Sequence, residues 1–156
     1  MPSSTPISFD SILSDLHANS ARQAIRELVA QAHRVAANIN RTTIEAQLIL
    51  QESRTSSAVG KGVAILHLKS AEAQKPVCLF ARIEHAVDFK ASDDKPVDLV
   101  ALLISPESYG SLHLQRLSNL SRILRDEGLC RTLRGTNDAD MIRALLTDEP
   151  TRRLAA

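Results

Sequence analysis

Aromatic residues are scarce in this sequence. Its 156 residues hold three phenylalanines, one tyrosine and no tryptophan, about 3% together. So few rings exclude a stacking platform for single-stranded nucleic acid. An excess of one charge is also missing, since 19 Lys and Arg against 18 Asp and Glu leave a formal net charge of +1. Bulk electrostatics therefore draw in neither nucleic acid, nor an anionic membrane, nor an acidic substrate. No apolar run approaches membrane-spanning length, so no membrane insertion is expected. The opening residues, Met1-Pro2-Ser3-Ser4-Thr5-Pro6, lack the basic and apolar regions of a secretory signal. Cysteine is limited to Cys78 and Cys130. Two distant cysteines without a secretion signal are expected to be reduced and structural, in a cytoplasmic protein. The five histidines show no paired ligand spacing, so neither a metal nor another cofactor is expected.

What is present is ordinary globular material, 44% hydrophobic and 24% charged. The length fits one domain, residues 1–156, with a core over about 11–147 and short polar termini. Ile25, Leu28, Val29, Ala32 and Val35 predict a helix from about Ala21 to Ala36, capped by Asn19 or Ser20. Thr42-Thr43-Ile44-Glu45 reads as a capping box opening a second helix that runs to about Glu52. The Ser-, Thr- and Gly-rich stretch from Ser53 to Gly62 reads as a loop.

Short apolar runs then predict strands over Val63–Lys69, Val77–Ile83 and Val97–Ile104, with a polar connection over Asp88–Pro96. A long helix follows over roughly Ser111 to Asp126, with His113, Leu117, Leu120 and Leu124 on one face. A last helix over about Asp138 to Leu146 has Thr136 or Asn137 as its cap. Helices before, around and after the strands predict an α/β domain, a central mixed β-sheet flanked by helices on both faces.

The segment Gly60-Lys61-Gly62-Val63-Ala64-Ile65-Leu66-His67 carries the chemistry. Gly60 and Gly62 can adopt positive φ and bring backbone N–H groups close to an anion, and a histidine ends the apolar run. Taken alone, such a histidine reads either as a hydrogen-bonded core residue or as a nucleophile.

The segment resembles the active-site stretch Gly-x-Gly-Val/Ile-Ala-Ile-Pro-His of the mannitol/fructose-type enzyme IIA domains of the bacterial sugar phosphotransferase system, in particular the nitrogen-type enzyme IIA. Phe89-Lys90-Ala91-Ser92-Asp93-Asp94-Lys95-Pro96-Val97-Asp98-Leu99-Val100 is similar to that family's Phe-x-Ala-x-Asp-Gly-x-Pro-Val-Asp-Leu-Val. His113-Leu114 stands where the family has a second active-site histidine. The three matches come in family order, within a resemblance from about Ser11 to Leu146.

The resemblance implies the enzyme IIA mannitol-type fold. It implies a phosphohistidine carrier and regulatory protein rather than an enzyme turning over a small substrate. His67 would accept a phosphoryl group from an HPr-type phosphocarrier protein, and His113 would stabilise it. The two forms would then bind different regulatory target proteins. With no permease segment in the sequence, regulation is expected rather than sugar uptake.

Four departures accompany the matches. Leu66 replaces the family's proline, Gln51 replaces the arginine of an Arg-Glu pair, and Ala58 and Asp94 each replace a glycine. Arg54 is the candidate to restore the missing charge, so Gly60, Gly62, Gln51 and Arg54 form the expected phosphate environment. An alternative stays open, in which a degenerate enzyme IIA paralogue binds partners without being phosphorylated. Under it, Leu66 would add apolar surface. Lys61 and the arginines at 116, 122, 125, 131 and 134 read as solvated surface charge.

Overall fold

The computed structural model describes residues 7–147. Five strands form one sheet in the order β1-β4-β5-β3-β2. They are β1 (Ser11–Leu16), β2 (Ala58–Gly60), β3 (Val63–Ser70), β4 (Val77–Val87) and β5 (Val97–Pro106). β4 and β5 run antiparallel, β1 lies parallel to β4, β3 lies parallel to β5, and β2 pairs antiparallel with β3. The sheet is therefore mixed, as expected.

β5 occupies the centre because nearly all of it is apolar, which suits a strand covered on both faces. Its alternation divides the core. Val100, Leu102 and Ile104 face α1 (Ala21–Val35) and α2 (Arg41–Arg54), together with Ile25, Leu28, Ile44 and Leu48. Leu99, Ala101 and Leu103 face α3 (Ser111–Leu124), α4 (Glu127–Arg134) and α5 (Ala139–Thr147), together with Phe80, Leu120, Leu133 and Ile142. Helices thus cover both faces.

Several elements differ from the expectation. β1 was not foreseen, because Ser11, Ser14 and Asp15 dilute its apolar alternation. β2 lies in what reads as a loop, and β4 continues to Val87, beyond Ile83, through Glu84 and His85. The long helix stops at Leu124. Asp126 then caps a separate helix, its Oδ1 accepting from Leu129 N–H at 3.1 Å. Ser20 caps α1 as foreseen. Asn40, not Thr42, caps α2, with its Oδ1 accepting from Thr43 N–H at 3.0 Å. Asp138 does the same for α5, accepting from Asp140 N–H at 2.9 Å, so neither Thr136 nor Asn137 is its cap. Cys78 and Cys130 are free and buried. Burial and the nearby Asp10 push the Cys78 thiol up to about 12, so it stays protonated and inert.

The glycine-rich turn between β2 and β3 has a structural role that the sequence did not reveal. Gly60, Lys61 and Gly62 all have positive φ, at 100°, 56° and 82°. Lys61 N–H donates to Asp93 Oδ2 at 2.8 Å, and Arg134 Nη2 donates to Lys61 C=O at 2.7 Å. The same guanidinium meets Asp98 at 2.9 Å. Arg134 is thus a clamp between α4, β5 and the turn rather than surface charge. A Cβ on Gly62 would stand 2.7 Å from Arg134 Nη2. Gly62→Ala is expected to cost about 1–3 kcal/mol of stability through strain and the displaced clamp. A urea titration checks this, and a midpoint equal to that of the unsubstituted protein would show that the clamp adjusts freely.

Candidate active site

His67 is the fifth residue of β3 and sits opposite Leu103 of β5. Alternation along β3 sends Leu66 to the α1/α2 side, where it is 3% exposed. It sends His67 to the side on which α3 begins. Leu66 therefore adds no apolar surface, contrary to the expectation attached to the alternative reading. Alternation also points the Leu66 N–H toward β5, where proline would have no donor to offer.

His113 sits in the first turn of α3 and is 4% exposed. Its Nε2 lies 3.2 Å from His67 Nδ1, and the two rings are tilted by 43° with centroids 5.3 Å apart. His113 Nδ1 lies 2.7 Å from the Ser105 hydroxyl. Ser105 was missed, because a serine before a proline reads as a strand-ending turn. Its spacing from His113 is meaningful only once β5 and α3 are folded together.

A cavity of about 320 Å³ opens beside His67, between the end of α2 and β3. Gln51, Glu52, Arg54 and Ser57 share its walls with His67. The structure therefore brings together His67, His113, Gln51 and Arg54. Among the described residues the Arg54 guanidinium has no hydrogen-bond partner, so it is free to meet an anion. Glu52 accepts from Ser57 N–H with both carboxylate oxygens, at 3.1 and 3.2 Å, which fixes the loop after α2. Among the described residues the Ser57 hydroxyl is buried without a hydrogen-bond partner, a feature that sequence reasoning missed.

Gly60 and Gly62 are not brought to this cavity. They line a different one with Lys61, Asp98 and Arg134 at the opposite end of β3. Five extended residues from Gly62 to His67 span about 16 Å. Their expected part in the phosphate environment is therefore corrected to that of a structural turn. Lys61 is exposed, as expected, and pairs with Glu127 at 2.7 Å. Elsewhere on the surface, His17 lies between Asp15 and Glu84, at 3.7 and 2.9 Å. The three could reach one metal ion, but all are exposed, and exposed acidic groups commonly cluster without one.

Burial holds the His67 imidazole below its ordinary value of 6.5. Burial does the same to His113, helped by the charges of His67 and Lys69. Both rings are thus kept neutral at neutral pH, the form with a lone pair for attack. The unfolded chain takes up protons near 6.5, whereas the folded chain does so only at lower pH. Folding stability from these rings is therefore present above about 6.5 and falls as pH drops toward their folded values. The urea midpoint is expected to fall between pH 7.5 and pH 5, and less steeply in the His67→Gln/His113→Gln double variant. An equal acid loss in both proteins would assign the effect to other groups.

The sequence matches the family described as "Phosphoenolpyruvate-dependent sugar phosphotransferase system, EIIA 2" over residues 6–149. The chain belongs to that family. It is 39% identical over 150 residues to a nitrogen regulatory protein of Bradyrhizobium diazoefficiens, covering 96% of this chain and 97% of the relative. The crystal structure of the nitrogen regulatory protein IIA-Ntr from Neisseria meningitidis is similar, with a TM-score of 0.81 and 28% identity over 88% of this chain and 92% of that one. The fold is also shared with the mannitol enzyme IIA of Escherichia coli, solved in complex with phosphorylated enzyme IIB. There the TM-score is 0.71 and the identity 22%, over 86% of this chain and 92% of that one. The sequence resemblance and the expected enzyme IIA fold are both borne out. Together these relationships support a regulatory protein of phosphotransferase-system IIA type. Among the described residues no helix is long and apolar enough to cross a membrane.

Proposed function

We propose that this protein is a phosphohistidine carrier of the nitrogen-regulatory branch of the phosphotransferase system, with His67 as the acceptor. The observation that carries this is the His67–His113 pair, 3.2 Å apart beside a cavity that also holds Arg54. His67 Nδ1 is engaged by His113, which leaves Nε2 as the nitrogen without a hydrogen-bond partner among the described residues. The lone pair on Nε2 attacks phosphorus in an HPr-type phosphohistidine donor. The N–P bond to the donor breaks, and its electron pair leaves on the donor nitrogen.

The incoming group needs positive charge and N–H or O–H donors. Arg54 supplies positive charge and N–H donors from the cavity wall. Gln51 is neutral where the family carries arginine. One charge-assisted hydrogen bond is worth about 1.5–3 kcal/mol, or one to two decades in rate, so Arg54 bears the electrostatic load that a Gln51 amide cannot. The phosphoryl group adds about two negative charges, enough to change which protein docks on that face. Regulatory targets in the cytoplasm would read the difference.

Gln51 also favours a second reading, a binding module in which the chemistry has lapsed. Intact-mass spectrometry after incubation with a phosphorylated HPr-type carrier separates the two. A gain of one phosphoryl group establishes the carrier, and no gain with several such donors leaves the binding module.

A further inference from the structure

The second cavity, of about 880 Å³, lies at the end of β3 away from His67. The β2–β3 turn, the connection before β5 and the junction of α3 with α4 enclose it. Its volume is that of a small-molecule site, which typically spans about 300–1,000 Å³. Five of its wall residues are basic, namely Lys61, Lys95, Arg125, Arg131 and Arg134. Three are acidic, namely Asp93, Asp98 and Glu127. One wall thus carries an excess of two positive charges, on a chain whose formal total is only +1.

Each carboxylate is already committed. Asp98 accepts from Arg134 Nε with both oxygens at 2.9 Å, and Glu127 pairs with Lys61 at 2.7 Å. Asp93 accepts from the backbone N–H groups of Lys61 and Lys95, at 2.8 and 3.1 Å, which hold its carboxyl below the usual range. The side chains of Lys95, Arg125 and Arg131, by contrast, make no hydrogen bond or ion pair among the described residues. They nonetheless gather at one place. After Lys61, both Arg131 and Lys95 help to depress the Glu127 carboxyl, and Arg125 stands two residues before it. Like charges around one hollow repel each other, and a bound anion relieves that repulsion.

We propose that this cavity binds a small ligand carrying two or more linked phosphate groups, held by Lys95, Arg125 and Arg131. Inorganic polyphosphates and nucleoside di- and triphosphates share that chemistry. A guanidinium meets phosphate oxygens in pairs, and an ammonium adds a point charge. The three cations start from the connection before β5, the end of α3 and the body of α4, so they match the spread charge of linked phosphates better than one phosphate. Val59, Val63 and Leu124 complete the wall, and Val59 is 59% exposed. These side chains give the base of a nucleotide an apolar face to cover. Gly62 lies about 16 Å from His67 along β3, so the inference stands apart from the acceptor role proposed for His67.

Isothermal titration of the full chain tests this, with tripolyphosphate, ATP and AMP as ligands and no divalent metal, at about 0.02 M and about 0.15 M salt. Wild type is expected to bind tripolyphosphate and ATP, with AMP at least about tenfold weaker, and to bind all less tightly at the higher salt. Arg125→Gln/Arg131→Gln should lose at least about tenfold in affinity for both polyphosphates. Lys95→Gln should weaken them too, whereas Arg22→Gln, exposed on α1 across the sheet, should match wild type. The substituted side chains are exposed and unpaired, so the urea midpoints should not move. ATP tighter than tripolyphosphate would put a base on the apolar wall, and equal affinity would assign binding to the phosphate chain alone. Either result upholds the site. Affinity unchanged in the double variant would overturn it, as would no binding of either polyphosphate at the lower salt, or AMP bound as tightly as ATP.

Discussion

Incubated with a phosphorylated HPr-type carrier, the His67→Ala protein keeps its unphosphorylated mass while wild type gains one phosphoryl group. The expected loss is complete, because neither nucleophilic side chain packed beside His67 can take over. His113 is 4% exposed and is engaged at both nitrogens, and it does not line the cavity beside His67. Cys78 is buried, with its thiol pushed up to about 12. The fold should survive, since His67 is only half-buried and its strand is anchored by Val63, Ala64, Leu66 and Leu68. The circular dichroism spectrum of the variant should match that of wild type. Equal mass gain in both proteins would put the acceptor on another residue.

The second large effect is on stability. Leu102→Ala is expected to cost about 2–5 kcal/mol, because it opens a void at the centre of the sheet. Leu102 is fully buried on β5, opposite Leu79 of β4 and Leu66 of β3, and all three pack into the core under α1 and α2. Against a typical total of about 5–15 kcal/mol this is a large fraction. The neighbouring residue Leu103 pairs in register with His67, so partial unfolding of β5 would also loosen the site. Urea titration with an unchanged slope reads the cost. A shift under about 1 kcal/mol would mean that the helices collapse into the space, which the flat, strand-backed position of Leu102 argues against.

The sequence made the central strands and the α1 helix legible because burial on one or both faces leaves a clear apolar pattern. β1 and the second half of β4 escaped it. β1 is an edge strand that is half-buried over Ser11–Ser14 and exposed at Asp15, and β4 runs past the core through Glu84 and His85. Charge hid α4, since Arg125, Asp126 and Glu127 look like the frayed end of one helix when Asp126 is in fact the cap of the next.

At the site, His67 and His113 were found through family resemblance and not through spacing, because 46 residues separate them. Ser57 and Ser105 carry no sequence signal. A buried hydroxyl is functional only through what it touches, and its partners come from other elements. Gly60 and Gly62 erred in the opposite direction. Their backbone freedom is real, but it serves a turn clamped by Arg134 rather than the nucleophile.

One consequence of the shortness of β2 remains. That strand pairs with β3 only at Ala58–Ala64 and Gly60–Val63, and Ile65 N–H completes the contact by donating to Ser57 C=O. Alternation turns the N–H groups of His67 and Lys69 toward the same outer side, where no strand of the described residues continues. The cavity beside His67 occupies the place of these missing rungs. Two more paired residues in β2 would satisfy the edge and wall off the imidazole, so the site owes its access to a sheet left unfinished at that point. The open edge also presents main-chain donors to whatever docks there. The charge of Lys69 at the same margin disfavours casual pairing between two copies of the chain.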